Sequence, residues 1–461
     1  MSGDDGCEQP AALRGTVLSG AEPPLKRVEA VLAVAVVVLK LDVLYGTWGR
    51  IQGFDADPWM NVFRATHWFR PLPGVREMYN SYHPPLSYLL CRLIYAVYPH
   101  DVEASQIMST LALIAAVFAL RATLRTIGVL WTLSGLVLLY GFASVPLVVW
   151  LGIETSYDPL IMFWFAITLL ISVQLLWQGP PPARWWKRPR YVAGTVGLGL
   201  ALAGGMLTKF TTLVVFGVPF VVVLARRGPR AVLHELAVPA AAVSLAAILV
   251  SPFYYQRYWK PYRELFPQAM SWLEAPALKE AVAARDAHRW RFLLHVLRIP
   301  KQAIVGTQTP VTDSFIYSIW LHLWKRDVYL GEQGRLSLVV SDVYVCFFAL
   351  LLPASTIAFA CRWRRLPPAW RQLGLVFLIF TVVFCAAMFR FGWQFPLWQW
   401  RIFKAKYISP IALWAAYCMA LPFVGLAEPS APQRGWARSR SDLLILALLL
   451  FMFANHLLPV Y

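Results

Sequence analysis

The sequence predicts an all-α polytopic membrane protein of about eleven transmembrane helices, N-terminus inside and C-terminus outside, with interfacial helices in two long outer loops. Three observations carry this. Of 461 residues, 59% are hydrophobic and 14% charged, and the mean hydropathy is +0.55; soluble chains carry about 25% charged residues. Too little polar surface remains for a soluble enzyme, a disordered chain or a fibrous one. Apolar stretches recur at the ~20-residue length a bilayer core requires. Basic residues concentrate in alternate connections, as the positive-inside rule demands.

The elements follow in order. Residues 1–27 are polar, Pro-rich and of mixed charge, lack a cleavable signal pattern, and read as a disordered cytoplasmic tail. Apolar spans are expected at 28–44, 104–120, 127–142, 157–177, 191–207, 211–225, 232–250, 338–360, 372–389, 407–424 and 441–459. With the N-terminus inside, the inner connections hold Arg121 and Arg125; Arg184, Lys187, Arg188 and Arg190; Arg226, Arg227 and Arg230; Arg362, Arg364, Arg365 and Arg371; and Arg434, Arg438 and Arg440, against the single acid Glu428. The first outer loop balances five basic with five acidic residues. One span more or fewer would break this alternation.

The chain thus divides into the tail (1–27), a membrane core at 28–250 that includes the outer loop 45–103, a long outer loop at 251–337, and C-terminal transmembrane helices at 338–461. Both outer loops are rich in Trp, Tyr, Pro and Arg, with apolar patches too short to span, so they read as interfacial helices and mark the working face. No inverted repeat of the transporter kind is visible. Six cysteines form no C-x-x-C pair, which points to neither a disulfide framework nor a zinc site. The net charge of +18 would suggest nucleic acid in a soluble protein; here membrane topology explains most of it, and no nucleic-acid partner is expected.

Four outer-side features bear chemistry. Gly53-Phe54-Asp55-Ala56-Asp57-Pro58-Trp59 offers two carboxylates soon after the first span. Asp57 before Pro58 has the order of an N-cap and first helical residue, whereas Asp55 has no such local role and is placed to act as a general base. Tyr82-His83-Pro84-Pro85-Leu86-Ser87-Tyr88 fixes its backbone through two prolines and presents His83 at a helix mouth, where a phosphate or metal could meet it. Asp158-Pro159-Leu160 again resembles a capped helix start, at a depth where an acid is costly. Lys209, in Leu207-Thr208-Lys209-Phe210, and Arg401, Lys404 and Lys406 place positive charge on the outer side, against the topological bias. Snorkelling to headgroups accounts for such residues equally well as a phosphate clamp does.

Taken in order, the first-loop Asp, the His-Pro-Pro-Leu-x-Tyr stretch, the Asp-Pro-Leu of the fourth span and Leu-Thr-Lys-Phe resemble the polyprenol-phosphate-dependent GT-C glycosyltransferases, in the branch of the protein O-mannosyltransferases and lipid A aminoarabinose transferases. The resemblance covers residues 28–225, fades through 251–337, and returns faintly at Lys406-Tyr407-Ile408-Ser409-Pro410. It implies that the core at 28–250 is catalytic. A sugar would pass from a polyprenyl-phosphate donor to a lipid, glycan or protein acceptor at the outer or luminal face, by inverting displacement. The family's catalytic Asp falls on Asp55, with Asp57 as rival, and its second acid on Asp158. His83, Lys209, Arg401, Lys404 and Lys406 would meet the donor phosphate. A divalent metal ion is the one cofactor implied, with Asp158 and His83 as its ligands; Tyr82 stands where the aminoarabinose branch has an acid, which weakens that expectation. A bacterial plasma membrane is expected ahead of the endoplasmic reticulum. The rival readings are a transporter or lipid flippase, which requires ionisable residues inside several spans, and a non-catalytic scaffold of the same fold.

Overall fold

A computed structural model describes residues 23–52, 56–67, 72–78, 80–265, 323, 335–394 and 409–424. Asp55, Arg401, Lys404, Lys406, most of the 251–337 loop and the expected eleventh span lie outside the described residues, as do residues 1–22 of the tail. Every regular element among the described residues is helical: α1 (Pro23–Gly46), α2 (Ala56–Ala65), α3 (Leu86–Val97), α4 (Asp101–Ile127), α5 (Leu133–Ser144), α6 (Pro146–Leu151), α7 (Asp158–Leu176), α8 (Pro189–Met206), a 3-10 segment (Phe210–Gly217) leading into α9 (Val218–Arg227), α10 (Pro229–His234), α11 (Ala237–Tyr254), α12 (Lys260–Tyr262), α13 (Arg335–Arg362), α14 (Pro368–Gln394) and α15 (Ile411–Ala420). Short 3-10 turns at Trp185–Lys187 and Leu421–Phe423 complete the set.

Among the described residues, five helical stretches have the length and apolar character to cross a membrane: Asp101–Ile127, Asp158–Leu176, Phe210–Arg227, Ala237–Tyr262 and Pro368–Arg390. The chain is a membrane protein. Shorter apolar helices at Leu133–Ser144 and Ile411–Phe423 occupy two other expected spans.

The boundaries differ from expectation for local reasons. The span expected to begin at residue 127 starts instead at Leu133, because Gly128 stops α4 in the left-handed region (φ 87°) and donates back to Leu124 and Arg125. Thr132 then caps α5 by accepting from the Gly135 amide at 3.0 Å. The span expected at 211–225 opens as a 3-10 segment and becomes α9 only where Pro219 occupies the first turn, since proline has no N–H for an interior helix bond. At its far end α11 continues as a π-helical turn, Tyr255–Trp259, closed by Lys260 N–H bonding Tyr255 O. Pro252 and Pro261 flank this turn, and neither can supply an α-helical N–H.

α4 packs along α7, which also meets α8 and α9; α8 lies on α11, and α5 on α15. Close approach depends on small residues, as it must where lipid gives no hydrophobic drive between helices. At Gly204 of α8 a Cβ would stand 2.5 Å from the Trp164 ring of α7, and the indole there donates to Thr208 Oγ1 at 2.9 Å. The two short helices of the 45–103 segment have their own core: Trp59, Met60 and Phe63 of α2 and Tyr88 and Cys91 of α3 are buried against Ala104 and Met108 of α4, Leu160 of α7 and Tyr157 just before it. Trp59 lies 5.2 Å from Tyr88 between ring centroids and stacks on Phe63 at 5.6 Å. These helices are docked on the bundle and are not loose appendages.

Candidate active site

Three helix starts meet at one end of the bundle. His83 lies just before α3, Asp158 is the first residue of α7, and Lys209 immediately precedes the 3-10 segment. A backbone bond from Leu86 N–H to Leu207 O, at 2.9 Å, joins the first and third of these. The Lys209 ammonium donates to Asp158 Oδ1 at 2.6 Å, both groups being buried, and stands 4.3 Å from the Tyr157 ring centroid. The Tyr157 hydroxyl lies 2.7 Å from His83 Nε2. Tyr82 and Phe210 flank the imidazole, with ring centroids at 4.1 and 6.2 Å. His83, Asp158 and Lys209, read separately along the sequence, are therefore neighbours.

Asp158 is not the N-cap its sequence suggested. Tyr157 holds that position and Asp158 is the first helical residue. Its N–H is met by Ser156 Oγ at 3.1 Å, which leaves the carboxylate to turn towards Lys209, 51 residues on. Asp57 is exposed in the first turn of α2. Asp55 lies outside the described residues; the chain before it is held at Gln52, whose O accepts from Thr155 N–H at 2.8 Å and whose N–H donates to Thr155 Oγ1 at 3.4 Å. Gln52 and Thr155 each stand three residues before an acid, Asp55 and Asp158.

Several polar residues of the site escaped the sequence reading. Gln106 of α4 is fully buried; its Oε1 accepts from Gly49 N–H at 3.1 Å and its Nε2 donates to Thr47 O and Arg50 O at 2.9 and 3.1 Å. It thereby holds the turn after α1, in which Gly49 adopts φ +71°. Also on α4, Ser109 donates to Glu154 O at 2.5 Å and Thr110 to Gly152 O at 2.6 Å, fixing the approach to α7. Arg92 of α3, 8% exposed, donates to Phe63 O, Arg64 O and Thr66 O, capping the end of α2. None of these has a local sequence signature; each depends on which helices pack together.

The two residues expected to bind metal use these atoms on protein partners, Asp158 on Lys209 and His83 on Tyr157. Among the described residues no group of three or more His, Cys, Asp or Glu is placed to hold a metal ion. A lysine ammonium on the carboxylate is also a poor companion for a dication, so Asp158 and His83 do not fit that role.

No family model and no curated sequence matches the chain. Among solved structures, the archaeal oligosaccharyltransferase AglB from Archaeoglobus fulgidus, in complex with an inhibitory peptide and a dolichol-phosphate, aligns with a TM-score of 0.53 over 94% of this chain and 56% of its own, at 12% identity. The chain shares a fold with the aligned part of that oligosaccharyltransferase. A Zn and sulfate complex of the Archaeoglobus fulgidus oligosaccharyltransferase gives the same TM-score over 92% of this chain and 52% of that one, at 15% identity. ArnT from Cupriavidus metallidurans, bound to undecaprenyl phosphate, aligns at a TM-score of 0.38 and 14% identity over 86% of this chain and 76% of its own. The chain spans about half the length of the oligosaccharyltransferases it matches.

Proposed function

We propose that the chain is a membrane glycosyltransferase that moves a sugar from a polyprenyl-phosphate donor to a lipid, glycan or protein acceptor at the outer or luminal face. The observation that carries this is the junction of three helix starts around His83, Asp158 and Lys209 in a GT-C fold. Helix N-termini present N–H groups and a partial positive charge, and so attract anions. A lysine and a histidine at the same junction suit a phosphate. In this reading the eleven spans run N-in to C-out, which sets the junction on the outer side, and the membrane is a bacterial plasma membrane ahead of the endoplasmic reticulum.

The donor phosphate lies against His83 and Lys209, with Arg401, Lys404 and Lys406 adding charge. An ammonium has three N–H groups, so Lys209 can hold Asp158 and meet the phosphate together. Asp158 orients Lys209. Asp55 takes the proton from the acceptor nucleophile, which attacks the anomeric carbon as the C–O bond to phosphate breaks; the electron pair leaves on the lipid phosphate and the configuration inverts. Asp55 is preferred to Asp57 because it follows closely on Gln52, which is bonded to the segment leading into Asp158, whereas Asp57 is exposed in the first turn of α2. No step is routed through a metal.

Mass spectrometry of the lipid that co-purifies with the protein identifies the donor, and release of its polyprenyl phosphate then measures transfer. Asp55→Asn is expected to lower transfer by ~10²–10⁴-fold, the usual contribution of a general base, with donor binding retained. If Asp57→Asn alone abolishes transfer, the base is Asp57. Undiminished transfer by Asp55→Asn/Asp57→Asn ends the catalytic reading.

A further inference from the structure

We propose that Arg257 is a positioning residue for His83, acting through the loop Pro73–Ser81, so that the chain leaving α11 sets the geometry of the anion site. The inference rests on the reading of His83 as a phosphate contact. Arg257 lies in the π-helical turn, and π turns inside helices often accompany functional sites. Its Nη2 donates to Pro73 O at 2.7 Å and to Ser81 O at 2.9 Å, spending one N–H on each. Ser81 stands two residues before His83. These bonds join positions 184 and 176 residues apart.

The loop they hold is under constraint. Asn80 adopts φ 75°, a left-handed conformation that Asn enters more readily than other non-glycine residues and that its surroundings hold here. Part of that enforcement is internal, from Ser81 Oγ to Gly74 O at 2.7 Å and Val75 O at 3.0 Å, and from the Tyr88 hydroxyl to Asn80 O at 3.2 Å. The rest comes from the end of α11: besides Arg257, the Tyr262 ring lies 4.6 Å beneath the Arg76 guanidinium. The residue after Arg257 packs on Phe210, a neighbour of the imidazole. Tyr258 is fully buried with its centroid 5.5 Å from Phe210, which itself stands 6.2 Å from His83. Two successive residues of one turn thus bear on the backbone leading to His83 and on a ring that neighbours it. Arg257 is also one of the outer-side cations, and here its charge serves backbone carbonyls.

The test uses the full chain in nanodiscs, with undecaprenyl phosphate as the probe. His83→Ala and Arg257→Met are each expected to weaken binding about tenfold, the loss of one charge-assisted bond. Arg257→Lys, which keeps donors without the planar fork, should stay within about threefold of wild type. The double variant His83→Ala/Arg257→Met should bind no more weakly than His83→Ala, because Arg257 acts through His83. Additive losses would mean that Arg257 meets the phosphate itself or supports the fold generally, and would overturn the proposal, as would wild-type binding by Arg257→Met beside a weakened His83→Ala. If His83→Ala binds like wild type, the phosphate reading of His83 fails, and the hold on the loop is read separately from amide hydrogen exchange over residues 72–86. Arg257→Gln, too short to reach both carbonyls, must raise that exchange; unchanged exchange overturns the positioning role even where Arg257→Met does not fold.

Discussion

Replacing Lys209 by Met tests the central contact. The ammonium and carboxylate are 2.6 Å apart, with side chains 6% and 0% exposed. At an effective dielectric of about 20, two unit charges at that separation attract by roughly 6 kcal/mol, before the cost of removing both from water is subtracted. Met keeps the length of the side chain and leaves Asp158 as a buried charge without its cation. Breaking a buried pair in this way costs about 3–5 kcal/mol, to which the lost contact with the Tyr157 ring adds on the order of 1 kcal/mol. Lys209→Met should therefore unfold at clearly lower temperature in detergent and lose undecaprenyl phosphate binding. Lys209→Met/Asp158→Asn carries no uncompensated charge and should recover most of the stability but none of the binding. Stability and binding then separate in one pair of proteins, read by fluorescence-detected thermal unfolding and by a lipid-binding titration. If the double variant is as unstable as Lys209→Met, the two residues are not energetically coupled; if it binds the lipid phosphate like wild type, the cation has no part in the site.

Other substitutions probe the supports. Arg92→Met strips the donors from three carbonyls at the end of α2 and should destabilise the docked helix by about 3 kcal/mol, seen as faster amide exchange over Ala56–Ala65 with little change in α8. Tyr157→Phe keeps the ring under Lys209 but loses the hydroxyl to His83; it should cost about 1 kcal/mol of stability and weaken lipid-phosphate binding about fivefold. Lys40, 2% exposed in α1, donates to Val148 O at 2.9 Å; Lys40→Met should leave transfer unchanged and stability equal or higher, since an isolated buried charge is replaced by an apolar side chain of similar volume. A loss of activity there would favour the transporter reading, in which ionisable groups inside spans line a pathway.

How much of this was legible in the sequence depended on the range of the interactions involved. Long apolar runs declared α4, α7, α11 and α14, because the hydrocarbon core demands a length that chance rarely supplies. Breaks inside apolar runs were harder: nothing in hydropathy separates Gly128, where α4 ends, from the glycines buried within α8, and Pro219 marks a change of helix type only once its neighbours are placed. The two outer-loop helices were anticipated as interfacial, yet their shared core with α4 and α7 was not, since Trp59 and Tyr88 look like any aromatics of a membrane surface. At the site, residue types pointed to His83, Asp158 and Lys209, but the bond from Lys209 to Asp158 and that between Tyr157 and His83 join helices whose adjacency no local pattern encodes. The mistaken capping role of Asp158 has the same origin. Its carboxylate chose between an N–H of its own helix and a distant ammonium, and Ser156 met the N–H first.

The same long-range logic reinterprets the basic connections expected on the inner side. That expected placement would account for their sign, but several of the arginines have a second occupation at the end of α7 opposite Asp158. Arg226 donates to Trp177 O at 3.1 Å, Arg227 to Leu176 O at 3.1 Å and Arg190 to Gln174 O at 3.2 Å, meeting carbonyls that the last turn of α7 leaves without helical partners. α7 thus carries an acid in its first turn and cations around its last, the arrangement that opposes its dipole at both ends. At the acid end, however, Lys209 offsets Asp158, so the N-terminal charge of α7 is not consumed by its own carboxylate. That charge, with those of α3 and the 3-10 segment, remains directed at the junction. In the proposed reading α7 meets its far end with arginine and leaves the charge of its first turn to the donor phosphate.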